Sequence, residues 1–386
     1  EIRQYDLVHQ TEQYNLSNAA RAWIPQLAFS AQATWQTDAP NFPKELTGML
    51  AQQGLEIPGL RKDQYKVALE LNQTIWDGGK SVADKRIARA EAAEQKTMTD
   101  VDLYELEGRV DDLYFGILLL DERIAQTNLT LNLLRSNLEK VRALQRNGVA
   151  MQSDADVLEA ELLSVGQQLI QFESSCDSYR RMLGIFIGQK VGDRKLQHPS
   201  AVQPLSGESA RPELAMFAAK IDRLTAQEKM VKSSSMPRLG FFAQGYYPGL
   251  DYMQSMMNND WSWNAMLGVK LSWNFGAYYT QKNNLNKLRT SRQQVEVQRD
   301  VFLFNMNLQA AQENGDIARL RKAIADDDRI VALRRSVREA AESILRNGII
   351  DTHDLLSKIT DESTASMARE IELLKAIYEY KHTINR

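Results

Sequence analysis

The sequence predicts a mainly α-helical fold with a smaller β part, built from two tandem repeats of a strand hairpin and a helical hairpin. Three observations lead to this fold class: the spacing of the prolines, motifs that occur twice, and short segments that alternate with a period of two. The nine prolines leave two proline-free tracts, 59–198 and 249–386. Because proline disrupts a helix interior, these tracts can hold very long helices.

Three motifs occur once in each half of the chain, in the same order. Chance explains any single match between helical sequences, but three ordered matches indicate a duplicated structural unit. The matched pairs are WIPQLAFSAQATW (23–35) with SMPRLGFFAQGYY (235–247), VALELNQTIWDGG (67–79) with AMLGVKLSWNFGA (265–277), and RNGVAMQSD (146–154) with RNGIIDTHD (346–354). The first repeat is predicted at 1–188, an inter-repeat linker at 189–212, and the second repeat at 213–386.

Each repeat is predicted to contain a long helical hairpin, at 80–187 with its tip near 148 and at 277–385 with its tip near 348. The first arm of each hairpin runs for about 70 residues, or ~100 Å at 1.5 Å per residue. Globular helices average ~11–12 residues. Apolar residues recur at three and four positions along these arms, as in Leu103, Leu106 and Val110. Such a stripe predicts packing against neighbouring helices.

Four segments alternate apolar and polar residues, at about 26–36, 65–76, 238–247 and 264–275. This period is typical of strands with one exposed face, and ~10 residues is the length that a tilted transmembrane strand needs. All six tryptophans lie at or near the segment ends, as aromatic residues do at membrane interfaces. We therefore predict membrane-interface aromatics at Trp35, Trp76, Trp261, Trp263, Trp273 and Tyr247. A soluble sandwich with one solvated face is the alternative.

Four strands cannot span a membrane alone. Lipid tolerates no open sheet edge, and single-chain barrels need at least ~8 strands. The strands can therefore span only if several chains join them in one closed barrel. The period predicts an oligomer without fixing the number of chains.

Composition excludes several classes of function. Net charge is −3 with 25% charged residues, so no basic excess indicates nucleic-acid binding. Cys176 is the one cysteine, and the four histidines lack metal-ligand spacing, so we expect no metal and no cofactor. No catalytic motif occurs, and an enzyme is not expected. No apolar run approaches the ~18 residues of a transmembrane helix. The chain opens inside a helical pattern, so we expect its natural N-terminus to lie upstream.

The order of these motifs resembles the TolC-type family of outer-membrane efflux proteins. AARAWIPQLAFSA and KSSSMPRLGFFAQ look like the family's lead-in from helix through proline to strand, and RPEL (211–214) resembles the start of its second half. QTIWDGGK and LSWNFGAY resemble its strand-to-helix turns. RNGVAMQSDADVL and RNGIIDTHDLL resemble its two periplasmic tips. The resemblance extends over essentially the whole chain.

The resemblance implies a homotrimer that forms a 12-stranded β-barrel continuous with a long 12-helix periplasmic α-barrel. It implies a passive exit duct of a tripartite efflux or type I secretion system in the outer membrane of a Gram-negative bacterium. The implied partners are a periplasmic adaptor protein, an inner-membrane pump and outer-membrane lipid. A soluble periplasmic coiled-coil scaffold or adaptor is the alternative. The sequence specifies neither the cargo nor the pump class.

Candidate functional residues lie at the predicted tips. The resemblance places Asp354 at a narrow periplasmic aperture, and Asp351 and Asp154 are candidates for further rings of carboxylates. Rings of carboxylates attract and select cations, although these aspartates could instead only stabilise helix N-termini. The predicted adaptor-docking residues are the exposed turns Arg146, Asn147, Gly148 and Val149, with Arg346, Asn347, Gly348 and Ile349. An ordinary turn between two helices is the alternative for both.

Overall fold

A computed structural model describes most of the chain, with side chains. It covers residues 2–38, 43–54, 62–192, 194–200, 209–247, 263–346, 354–355, 357–359 and 369–385. Seven helices have assigned bounds in these ranges: α1 (Ile2–Arg21), α2 (Lys44–Gln52), α3 (Lys80–Arg146), α4 (Gln152–Ile187), α5 (Pro212–Ser233), α6 (Ala277–Arg346) and α7 (Arg369–Ile384). Helix α3 has 67 residues and α6 has 70. No helix of the described part combines the length and apolarity needed to cross a membrane.

Four strands form one antiparallel sheet: β1 (Gln26–Trp35), β2 (Asp63–Trp76), β3 (Arg238–Tyr247) and β4 (Asn264–Ser272). Their order in the sheet follows the sequence, β1-β2-β3-β4. Strand β1 therefore pairs only with β2, and β4 only with β3, within the described residues. The sheet has two edges, formed by its first and last strands.

The structure differs from the sequence-based expectation in three places near the sheet. The Pro, Gly and polar residues of segment 37–64 predict a loop between two strands, but the segment contains the short helix α2. Strand β4 ends at Ser272, because Asn274 begins a turn in which its side-chain Oδ1 accepts a hydrogen bond from the Gly276 backbone amide at 3.1 Å. A bulge between Thr74 and Trp76 brings Trp76 opposite Leu239.

The first compact unit comprises Glu1–Thr99 and Ala215–Val297, and it contains the sheet. The turn from β2 into α3 is fixed by the buried Asp77. Its carboxylate accepts hydrogen bonds from the backbone amides of Gly79 at 2.9 Å and Ser81 at 2.6 Å, and from the Ser81 hydroxyl. Burial acts to raise the pKa of Asp77, but these bonds outweigh it and lower the pKa. Gly78 and Gly79 lie in this strand-to-helix turn, with φ values of 70° and 85°.

The second compact unit comprises Asp100–Leu214 and Gln298–Arg386. It is held together by apolar clusters between helices. The largest cluster joins α3, α4 and α6 with the described residues of 354–359, and its most deeply buried side chains include Leu134, Leu158 and Leu355. Burying such a side chain contributes about 1.5–3 kcal/mol. A smaller cluster packs Phe115 and Leu118 of α3 against Ile371 of α7.

Candidate functional site

The sheet carries one apolar face that is exposed in the single chain. Alternate residues of every strand lie on this face, and the long apolar ones are largely uncovered; examples are Phe29, Leu69, Leu267, Val269 and Leu271. Leu267 is 75% exposed. A monomeric soluble protein rarely exposes a contiguous apolar patch of this kind. The face therefore calls for a nonaqueous neighbour.

The opposite face of the sheet is predominantly polar. The register brings Glu70 opposite Gln244, whose amide donates to the Glu70 carboxylate at 2.5 Å. Lys66 lies over the Tyr246 ring with its Nζ 5.8 Å from the ring centroid. The sheet thus has an apolar side and a polar side, as expected for a wall between lipid and water.

The predicted interface aromatics lie at both ends of the sheet. Trp35, Trp263 and Tyr247 are at the end with the connecting loops, where the Tyr247 and Trp263 rings stand 5.2 Å apart. Trp76 and Trp273 are at the end where the helices begin, and the Trp273 indole donates to the Ser235 carbonyl at 3.0 Å. The four tryptophans are exposed. Trp261 lies outside the described residues.

The first helical tip is a tight reversal built around Gly148. The Gly148 amide donates to the Gln145 carbonyl at 2.9 Å, and the Val149 amide donates to the Leu144 carbonyl at 2.9 Å. This pair of bonds is the Schellman motif, which needs a left-handed residue at the position of Gly148 (φ 76°). The predicted docking residues Arg146, Asn147, Gly148 and Val149 are all exposed. Val149 is 63% exposed, so an apolar side chain stands at the tip.

Asp154 stabilises the start of the returning helix. Its Oδ2 accepts a hydrogen bond from the Met151 backbone amide at 2.8 Å, and the Asp154 amide donates to the Met151 carbonyl at 3.2 Å. This is the reciprocal half of a capping box. Ser153 has a side chain suited to an N-cap, but Met151 occupies that position in the structure. Asp154 therefore stabilises the start of α4, and its place in an aperture stays a prediction.

The second tip falls mostly outside the described residues. Asn347, Gly348, Ile349 and Asp351 belong to that part, and Arg346 is described only as the last residue of α6. Asp354 is described: it is helical and exposed. Its neighbour Leu355 is fully buried in the cluster with α3 and α4. Asp354 is thus held at the surface of a packed apolar core.

A half-buried carboxylate ties α6 to α3 in the same cluster region. Glu342 accepts a hydrogen bond from Lys140 Nζ at 3.1 Å and is also paired with Arg338. Burial acts to raise the pKa of Glu342, but the hydrogen bonds and charges of Lys140 and Arg338 outweigh it and lower the pKa. Nothing in the sequence pattern indicated this link, because its partners are 202 residues apart.

The RPEL segment (211–214) holds the end of the C-terminal helix α7, and we call this arrangement the clasp. The sequence alone assigns the RPEL segment no physical role. The Arg211 guanidinium pairs with Glu213 through two hydrogen bonds, one of them 2.9 Å long. It also donates to the His382 and Thr383 carbonyls at 3.4 and 3.3 Å. The Tyr104 and Phe302 rings flank it at 5.0 and 5.3 Å from their centroids. Arg211 thereby caps the end of α7.

Comparisons with known proteins show similarity to outer-membrane efflux proteins. Residues 1–188 match the family model described as outer membrane efflux protein. The resemblance predicted from the sequence is therefore confirmed, and this half of the chain carries the family's sequence pattern. No curated protein sequence matches the chain at a significant level.

Solved structures extend the similarity of fold to nearly the whole chain. The outer membrane protein VceC of Vibrio cholerae is similar with a TM-score of 0.71 and 15% identity over 98% of this chain and 90% of VceC. The MtrE outer membrane channel of Neisseria gonorrhoeae, in its open state, is similar with a TM-score of 0.68 and 15% identity over 99% of this chain and 85% of MtrE. The Campylobacter jejuni CmeC outer membrane channel is similar with a TM-score of 0.67 and 13% identity over 99% of this chain and 81% of CmeC. These similarities show the fold.

The geometry and the comparisons together support an outer-membrane efflux channel. The matched family and the similar structures are channels and not enzymes. The described residues include no group of three or more His, Cys, Asp or Glu side chains placed to hold a metal ion. The soluble scaffold is the less favoured alternative, since it gives no role to an exposed apolar sheet face.

Replacing Gly148 by Ala is expected to weaken the first tip. The left-handed backbone costs an L-residue about 1 kcal/mol, so local opening of the tip should become easier by about that amount. Hydrogen exchange of the Val149 amide measures this, because that amide is bonded to Leu144 within the motif. Gly166→Ala on α4 is the matched control, since an added methyl meets nothing within 4 Å and the helix favours Ala. Equal exchange in both variants would contradict the assigned turn.

Proposed function

We propose that this chain is one protomer of a homotrimeric exit duct in the outer membrane of a Gram-negative bacterium. The observation that carries the proposal is a four-stranded sheet with an exposed apolar face and an edge at each end. Lipid can cover the apolar face, but the edges must find backbone partners. Copies of the same sheet supply them if β4 of one chain pairs with β1 of the next, which makes a 12-stranded barrel from three chains.

The long helix α6 supports assembly with further copies. Val301, Phe304 and Leu308 follow one another at spacings of three and four residues, which places them on one face of the helix. All three are exposed in the single chain, and Phe304 is 67% exposed. A heptad-like apolar seam of this kind packs against a neighbouring helix. In a trimer these seams would build the helical wall of the duct.

The duct conducts passively and depends on partners for energy. The similar structures are outer membrane channels. The exposed turn at Arg146–Val149 presents backbone and an apolar side chain in a hydrogen-bonded conformation, which suits docking of a periplasmic adaptor. The adaptor would connect the duct to an inner-membrane pump, and the pump would supply the cargo.

Membrane extraction and planar-bilayer recording test the proposal. We expect recovery of the protein only with detergent, as a trimer, and stepwise channels after addition to a bilayer. Recovery in plain buffer as a monomer, with no conductance, would support the scaffold instead. A second test introduces a charge into the apolar seam of α6. The Phe304→Glu variant should not form the trimer, because the buried carboxylates of three chains would repel one another.

Replacing Asp354 by Ala is expected to weaken block of the channel by trivalent cations. Three carboxylates on one axis each attract such an ion by roughly 1 kcal/mol across ~12 Å of water. Their loss should raise the half-blocking concentration of hexaamminecobalt(III) at least about tenfold. Asp177→Ala, an exposed carboxylate on α4, is the matched control and should leave the block unchanged. An unchanged half-blocking concentration in Asp354→Ala would remove this residue from the aperture.

A further inference from the structure

A cavity at the helix-proximal end of the sheet joins two cations to an aromatic ring. Its volume is about 380 Å³, and its lining includes Arg238, Phe242 and Lys270 on the polar face. The register puts Lys270 opposite Gly240 and Ser272 opposite Arg238. Arg238 and Lys270 are therefore diagonal neighbours on adjacent strands, with Cα atoms roughly 7–8 Å apart. Two positive charges converge on one side of the cavity.

Neither cation is neutralised within the described part of the chain. Arg238 and Lys270 have no ion pair or hydrogen bond to a carboxylate there, and both are exposed. The acidic residues that share the cavity are engaged elsewhere. Asp77 accepts bonds from the Gly79 and Ser81 amides, and Asp84 lies 4.0 Å from Lys80. The cavity lining therefore holds three cations, Lys80, Arg238 and Lys270, against two carboxylates.

Phe242 supplies an apolar surface next to these charges. Strand β3 places it two residues beyond Gly240, opposite Gly268 of β4. A methyl group added at Gly268 would lie 3.1 Å from the Phe242 ring, so the ring rests directly on that glycine. The ring is half-buried on a face that is predominantly polar. A flat apolar group can stack on it while an attached anion reaches the two cations.

We propose that this cavity is a transit site for organic anions that combine an aromatic body with a carboxylate or sulfonate. The proposal rests on the proposed duct function and adds a substrate class to it. Membrane lipid is excluded as the source of the anion, because the cavity lies on the polar face and the apolar face is the one that lipid would cover. A small inorganic anion would satisfy the cations but leave Phe242 without a partner.

Single-channel recording with naphthalene-2-sulfonate tests the proposal. We expect reversible block of the wild-type current by this probe. In an Arg238→Gln/Lys270→Gln variant the half-blocking concentration should rise at least about tenfold, as expected for the loss of two charge-assisted contacts. Phe242→Leu should reduce the advantage of naphthalene-2-sulfonate over methanesulfonate and leave methanesulfonate itself unaffected.

Lys66→Gln is the matched control. Lys66 lies on the same polar face of the sheet. Thr74 of β2 pairs with Gly240 beside the cavity, and Lys66 is eight residues along β2 from Thr74, so Lys66 is roughly 26 Å from that position. The half-blocking concentration of naphthalene-2-sulfonate should be the same for the Lys66→Gln channel as for the wild type. Absent block in a conducting wild-type channel, or equal block in the double variant, would overturn the transit site and leave the duct intact. Failure of the wild type to conduct would instead count against the duct itself.

Discussion

Replacing Val269 by Arg is expected to abolish insertion of the sheet into a bilayer. Val269 lies near the middle of β4, paired with Phe241, and is 63% exposed on the apolar face. An arginine at the midplane of a membrane barrel costs about 2–4 kcal/mol. Three symmetric copies multiply this cost in a trimer, which makes it comparable to the whole stability of many proteins.

Flotation with lipid vesicles measures the inserted fraction, and gel electrophoresis without boiling measures the trimer. Met266→Arg is the control, since Met266 lies three residues away on the polar face. It should insert like the wild type, because its arginine would face water. If both variants inserted equally well, the apolar face would not be a lipid-facing surface, and the proposed duct would lose its main support.

Replacing Arg211 by Leu is expected to destabilise the second compact unit by about 3–5 kcal/mol. The change leaves the Glu213 carboxylate, which is 10% exposed, without its bidentate partner. It also removes the donor to the last carbonyls of α7 and the cation between Tyr104 and Phe302. A lone buried charge is far more costly than the pair that it replaces.

Denaturant unfolding followed by circular dichroism provides the measurement. Arg319→Leu breaks an exposed pair with Asp316 and should cost under about 1 kcal/mol. An Arg211→Leu/Glu213→Leu double variant should recover a large part of the stability, because no buried charge is left unpaired. A loss in Arg211→Leu no greater than that in Arg319→Leu would show that the clasp is not a structural element.

Local patterns predicted the local structure well. Alternation located the four strands to within a few residues, because each strand has one apolar and one polar face. Helices α3 and α6 follow from long proline-free tracts with a continuous apolar stripe. Gly148 marks the predicted tip, because glycine is common at the left-handed position where a helix ends.

Other features depend on contacts that no local pattern reveals. The bulge at Thr74–Trp76 is set by the match between β2 and β3. Helix α2 was missed because Pro43 and Gly48 made its segment look like a loop. The RPEL sequence was noticed as a resemblance, but its physical role needs His382, which is 171 residues away. At the tip, Ser153 has a better capping side chain than Met151, yet Asp154 reaches back to the Met151 amide and decides where α4 begins.

The edges of the sheet have a consequence for biogenesis. Strands β1 and β4 are the outermost strands, and each offers its outer side to any extended polypeptide that it meets. In the proposed trimer, a newly made chain would therefore be prone to associate with other polypeptides until three copies close the ring, and dilution would prolong that interval. The cell would need to protect such chains from other polypeptides in the periplasm and to deliver them at a high local concentration. Closing the ring would then end their adhesiveness.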